Sequence, residues 1–89
     1  MNQLSTRVQL SIRYFGAAGA AAGVESENRT VEAGTSVADL IFQLGTRNAR
    51  LATVLERCSY LCDGVAVRDT AALLRTGQTV DVLPPFAGG

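Results

Sequence analysis

The most distinctive chemistry in this chain lies in its last six residues, Pro84-Pro85-Phe86-Ala87-Gly88-Gly89. Gly89 offers an α-carboxylate. Gly88 and Gly89 have no side chains, and holding two glycines in one conformation costs ordering entropy. The compensating use of such a pair is to thread a narrow channel where any Cβ would clash. Pro84 and Pro85 keep the backbone extended and lift the tail away from the element before it. Six residues reach roughly 20 Å. The plain alternative is a frayed end.

Little else in the chain is equipped for chemistry. There is no histidine, which removes the commonest general base and neutral metal ligand. All eight cationic side chains are arginine, so no side-chain amine is available for acylation or a Schiff base. Cys58 and Cys62 do not form a C-x-x-C pair. On one strand they face the same side about 13 Å apart, too far for a disulfide, and they read as apolar packing residues in a reducing compartment. The stretch Gly16 to Gly23 is rich in glycine and alanine, but it lacks the lysine and Ser/Thr ending of a phosphate-binding loop, and no G-x-G-x-x-G occurs. Net charge is zero, which argues against nucleic acid or an anionic membrane as partner. No stretch reads as a signal peptide or a membrane span, so the expected location is cytoplasmic.

With 89 residues, one domain is the expectation over 1–89. After a polar lead-in from Met1 to Thr6, Val8, Leu10, Ile12 and Tyr14 alternate with Gln9, Ser11 and Arg13. That is the period of a half-buried strand over Arg7 to Tyr14. The Ala/Gly stretch reads as one short helical turn or an ordered loop. Arg29 to Ala33 reads as a second strand. Ser36-Val37-Ala38-Asp39 resembles a capping box, and Val37, Leu40, Ile41 and Leu44 then form one apolar helical stripe that Gly45 can end. Arg50 to Glu56 reads as a second short helical piece. Ser59 to Cys62 and Val65 to Val67 are strands around an Asp63-Gly64 hairpin turn. Asp69 to Leu74 connects them to a last strand, Thr79 to Leu83, which Pro84 and Pro85 stop. The plan is α+β: a mixed sheet of about five strands with one main helix across a face. First and last strands lying parallel side by side give the β-grasp arrangement.

Strand phase exposes a second feature. The polar face of the first strand, Gln9, Ser11 and Arg13, next receives Phe15. The polar face of the last strand, Thr79 and Asp81, next receives Leu83. If the two strands are parallel neighbours, Phe15 and Leu83 form an exposed apolar patch at the root of the tail, and such patches mark partner sites. The alternative is a bulge that turns Phe15 inward.

Three stretches resemble the small subunit of molybdopterin synthase, the MoaD-like ubiquitin-like sulfur carriers. They are V-Q-L-S-I-R-Y-F from Val8 to Phe15, G-T-S-V-A-D-L-I-F-Q-L from Gly34 to Leu44, and L-R-T-G-Q-T-V-D-V-L-P-P-F-A-G-G from Leu74 to Gly89. The segment Ala18 to Ala22 departs from the pattern, which usually carries charged residues there. The resemblance implies that an E1-like enzyme uses ATP to adenylate Gly89 and that a sulfur donor protein converts it to a thiocarboxylate. That sulfur then enters the large synthase subunit and helps build the dithiolene of molybdopterin. It implies a non-catalytic carrier that binds no cofactor of its own, in a heterotetramer of two small and two large subunits. Gly88 and Gly89 would carry the reaction. Phe15, Ala66, Leu83, Pro84, Pro85, Phe86 and Ala87 would face the partner. A carrier for thiamine, cysteine or tRNA thiolation would share this tail, as would a ubiquitin-like protein modifier.

Overall fold

The computed structural model describes residues 6–85 of the chain. Its first strand, β1 (Arg7–Tyr14), has strict alternation of exposed and buried residues, as its sequence period requires. It is followed by α1 (Ala17–Ala22), β2 (Ser26–Glu32), α2 (Val37–Gly45), α3 (Ala49–Leu55), β3 (Ser59–Cys62), β4 (Val65–Ala66) and β5 (Thr79–Leu83). The strands form one sheet in the order β2-β1-β5-β3-β4. β1 and β5 pair in parallel, with Ser11 opposite Thr79 and Tyr14 opposite Val82; the neighbouring pairs are antiparallel. First and last strands side by side at the centre of a mixed sheet are the expected β-grasp arrangement.

One face of the sheet is sealed by the helices. Ile12, Leu40, Leu44, Leu51, Val37, Val80 and Val82 are fully buried there. Helix α2 starts where the sequence indicates. The Ser36 hydroxyl accepts from the Asp39 N–H at 3.0 Å, and the Asp39 carboxylate accepts from the Ser36 N–H at 3.1 Å, a reciprocal capping box. Helix α3 is capped by the Asn48 side-chain oxygen, which accepts from the Leu51 N–H at 2.7 Å.

The structure shifts the bounds of several expected elements, among them α3, which runs Ala49–Leu55 rather than Arg50 to Glu56. β2 begins at Ser26 rather than Arg29 and stops at Glu32 rather than Ala33, because β1 offers partners along its whole length, down to Arg13 opposite Ser26. The Ala/Gly stretch is a helix: Ala18, Ala21 and Ala22 are buried, and Gly23, at φ 82°, ends it with its N–H donating to the Gly19 carbonyl. A Cβ on Gly19 would lie 3.4 Å from the Tyr14 carbonyl oxygen, in ordinary van der Waals contact, so α1 lies directly against the end of β1. The return strand of the hairpin is two residues, Val65–Ala66, and excludes Val67. Cys58 and Cys62 do not share a strand, in keeping with the expected third strand that begins at Ser59. Cys58 precedes β3, and its thiol donates to the Val54 carbonyl at 3.3 Å; both cysteines are free.

Among the described residues, no helix is long and apolar enough to cross a membrane. No cluster of three or more Cys, Asp or Glu there is placed to hold a metal ion.

Candidate functional site: the root of the C-terminal tail

β5 lies between β1 and β3 and ends at Leu83, followed by Pro84 and Pro85. The register that pairs Tyr14 with Val82 brings Phe15 beside Leu83. The Phe15 N–H donates to the Val82 carbonyl at 3.1 Å, so the parallel ladder runs through this point without a bulge. Phe15 stays 41% exposed and Leu83 is half-buried. The inward alternative for Phe15 is therefore excluded. Beyond it, Gly16 adopts φ +53°, and a Cβ built there would stand 3.7 Å from Pro84 Cγ. The loop leaving β1 and the chain leaving β5 are thus in van der Waals reach.

The same face carries Leu61, half-buried on β3 opposite Asp81, and Ala66, exposed on β4 opposite Leu61. Phe15, Leu83, Leu61 and Ala66 therefore share the sheet face that the helices leave uncovered, with Pro84 and Pro85 at its edge. The expected site residues Phe86, Ala87, Gly88 and Gly89 lie outside the described residues.

Two side chains that sequence reasoning passed over stand in this patch. Arg13 and Asp81 are direct partners across β1 and β5. Arg13 Nε donates to Asp81 Oδ1 at 2.7 Å and Nη2 to Oδ2 at 2.9 Å, a side-on bidentate pair. Asp81 is buried while over half of the Arg13 side chain is exposed. The guanidinium carbon lies 5.6 Å from the centre of the Phe15 ring, within cation–π range. Hydrogen bonding and charge from Asp81 push the Arg13 pKa further up. The signal was available in the sequence: two residues before Phe15 and Leu83, in the same phase, stand an arginine and an aspartate.

On the opposite face the end of β1 is tied down. The Tyr14 hydroxyl donates to the Glu27 carboxylate, which also accepts from Arg47 Nη2 at 2.6 Å. Arg47 reaches on to the Ala22 carbonyl at 3.3 Å, and the Asn48 side chain donates to the Ala21 carbonyl at 3.2 Å. Burial and the Glu27 hydrogen bond push the Tyr14 pKa up. Burial opposes ionisation of Glu27, yet the Arg47 and Tyr14 hydrogen bonds outweigh it and hold its carboxyl below the ordinary value. This network fixes α1 and the end of β1 together, and so fixes the backbone from which Phe15 projects.

The pattern of the ThiS family matches residues 12–89, nearly the whole chain and the entire tail. The chain belongs to the ThiS family. Members of the ThiS/MoaD group are ubiquitin-like sulfur carriers. Comparison with curated protein sequences finds no match. Solved structures give the same fold as the ThiS pattern. The Haloferax volcanii HVO 2177 protein superposes with a TM-score of 0.83 at 26% identity, covering 100% of this chain and 93% of that one. A putative molybdopterin converting factor, subunit 1, from Pyrococcus furiosus gives 0.80 at 24% identity, covering 89% and 99%. Small archaeal modifier protein 1 from Methanosarcina acetivorans gives 0.78 at 20% identity, covering 96% and 100%.

Proposed function

We propose that this chain is the sulfur carrier subunit of a molybdopterin synthase and that Gly89 is the residue that carries the sulfur. The observation that supports this reading best is the apolar patch at the tail root, Phe15 beside Leu83, on a ThiS-family body. The Pyrococcus neighbour is named as subunit 1 of a molybdopterin converting factor, which fits a carrier that docks on a second subunit.

The chemistry follows from the carboxylate. Its charge is delocalised and oxide is a poor leaving group, so it needs activation. A Gly89 oxygen attacks the α-phosphorus of ATP on an E1-like enzyme, and pyrophosphate leaves. A donor sulfur equivalent to hydrosulfide then attacks the acyl carbon, and AMP leaves with the bonding pair. No electrons are gained or lost in this exchange. The resulting thiocarboxylate is anionic and nucleophilic at neutral pH, unlike an ordinary thiol with a pKa near 8.5. It passes into the large subunit, which supplies the acid, base and anion-binding groups. Gly88, without a Cβ, lets the end of the tail thread both partners.

Intact mass spectrometry after incubation with ATP, an E1-like enzyme and a sulfur donor tests the carrier role. The expected result is the mass gain of one sulfur-for-oxygen exchange, lost when Gly89 is deleted or when an untrimmed residue follows it. Loading that persists in the extended chain refutes the role of Gly89. Adding the large subunit and the pterin precursor then tests the pathway. A modifier, the reading that the Methanosarcina neighbour's name suggests, would instead transfer Gly89 to a lysine of another protein. It would leave an amide adduct in the same spectrum.

A further inference from the structure

The docking surface in the reading above is apolar, yet a guanidinium stands beside its aromatic ring. Arg13 meets Asp81 through Nε and Nη2, the side edge of its fork. Arginine has five N–H groups. The end edge, made by Nη1 and the second hydrogen of Nη2, has no partner among the described residues. That edge is also held in place. Asp81 is buried in β5 and cannot follow the side chain outward, and the Phe15 ring supports the guanidinium at 5.6 Å. An arginine fixed in this way loses little further entropy when it binds, so its remaining fork is pre-organised.

The fork is reachable. Open clefts of about 770 and 740 Å³ lie on either side of Arg13, the first bounded by Phe15 and Gly16, the second by Asp81 and Asp63. Arg13 is the one cation among the residues lining either cleft. Glu25, Glu27, Asp63 and Asp81 also line these clefts, so the Arg13 guanidinium is the one charged group there that can pair with an anion. An end-on guanidinium fork matches the two oxygens of a carboxylate.

Resting on the docking reading, we infer that Arg13 is the polar anchor of this surface and that it receives an Asp or Glu carboxylate of the large subunit, set at the rim of the apolar pocket that takes Phe15 and Leu83. The bound state is then a chain of three charges, Asp81, Arg13 and the partner's carboxylate, closed off from water by apolar neighbours. This gives the surface a direction. Apolar contact alone tolerates rotation of the two bodies, whereas a bidentate pair beside the ring fixes the angle at which the tail enters.

The test uses the full chain and the large synthase subunit in calorimetric titration at several salt concentrations, well below the melting temperature of each variant. Arg13→Lys keeps a charge but loses the fork. Arg13→Gln combined with Asp81→Asn removes both charges without leaving either one buried alone. Leu83→Glu tests the docking reading itself. Charged hydrogen bonds of this kind lead us to expect that both Arg13 variants weaken binding roughly tenfold to hundredfold. The double variant also loses most of the salt dependence seen in the parent. Parent-like binding by the double variant, with Leu83→Glu inactive, overturns the anchor and leaves the docking surface standing. Weaker binding with unchanged salt dependence overturns the carboxylate in favour of a neutral acceptor. A parent chain that does not bind the large subunit overturns the docking reading and this inference with it.

Discussion

Replacing Phe15 with alanine separates what this ring does for the fold from what it does for a partner. Full burial of such a side chain is worth about 1.5–3 kcal/mol. The ring is 41% exposed, so roughly three-fifths of that value, about 1–2 kcal/mol, is already realised inside the free chain. The remaining two-fifths, about 0.6–1.2 kcal/mol, is available to a partner that covers the ring. In a domain of this size a loss of 1 kcal/mol lowers the melting temperature by roughly 4–8 °C, so Phe15→Ala should melt roughly 4–16 °C below the parent. Its affinity for the large subunit should fall only about three- to eightfold from area alone. The assay is thermal unfolding by circular dichroism beside calorimetric titration of the same samples. Unchanged melting would show that the ring packs on nothing in the free chain. Unchanged binding, with the expected loss of melting temperature, would show that the ring serves the fold alone and that docking occurs elsewhere, with the Asp63-Gly64 hairpin as the next surface to test. A hundredfold loss would mean that truncation also releases Arg13, and Phe15→Leu, which keeps some support under the guanidinium, should then recover most of it.

Three further outcomes follow from particular contacts. Gly88→Val should slow both adenylation and sulfur delivery while leaving the melting temperature unchanged, and parent-like rates for both would show that the channels are wide. Because the folded-state pKa of Glu27 lies below its ordinary 4.5, its pairing with Arg47 and Tyr14 stabilises the fold at neutral pH and is lost as pH falls below that value. Parent and Glu27→Gln melting temperatures should therefore differ at neutral pH and converge on acidification; a gap that stays constant refutes the network. Burial raises the thiol pKa of both Cys58 and Cys62, with Asp63 and Asp81 adding to the effect at Cys62, so alkylation by iodoacetamide should be slow in the folded chain and rise to the free-thiol rate in denaturant. Fast labelling of either cysteine when folded would contradict its packed environment.

How far the sequence carried this account depended on whether the deciding contact was local. β1 was legible to the residue because its period of two is set by one buried face. The start of α2 was legible because both halves of its capping box lie within four residues. The start of β2 was not, since Ser26, Glu27 and Asn28 have no apolar alternation and pair only because β1 is there to receive them. Glu27 illustrates the point: it sits half-buried on the core side, and only Tyr14 and Arg47, brought from 13 and 20 residues away, make that position tolerable. α1 was ambiguous because alanine and glycine pull in opposite directions, and tertiary burial of Ala18 and Ala21 decided it. The patch of Phe15 and Leu83 could be derived from phase once parallel neighbours were assumed. The same phase argument carried two residues back reaches Arg13 and Asp81, and reading only the apolar ends of the two faces is what missed them.

The position of β5 in the sheet explains why a chain with so little reactive chemistry in its body still needs that body. β5 is the central strand, paired on both sides, with Val80 and Val82 fully buried. A strand so held is among the last parts of a fold to open locally, because its release requires breaking two ladders and emptying the core. Leu83 is its last residue, and Pro84 rests within reach of Gly16 at the end of the neighbouring strand. The tail thus departs from a strand paired on both sides, directly beside the patch and the guanidinium. A partner that grips Phe15, Leu83 and Arg13 therefore fixes the starting point of the tail, and the reach of a few extended residues then sets how deep its end can go. Moving the tail to an edge strand such as β4 would keep every chemical group and lose that geometry. The carrier's body is accordingly a positioning device, and its mutations should divide into those that change where the tail starts and those that change how well the surface is held.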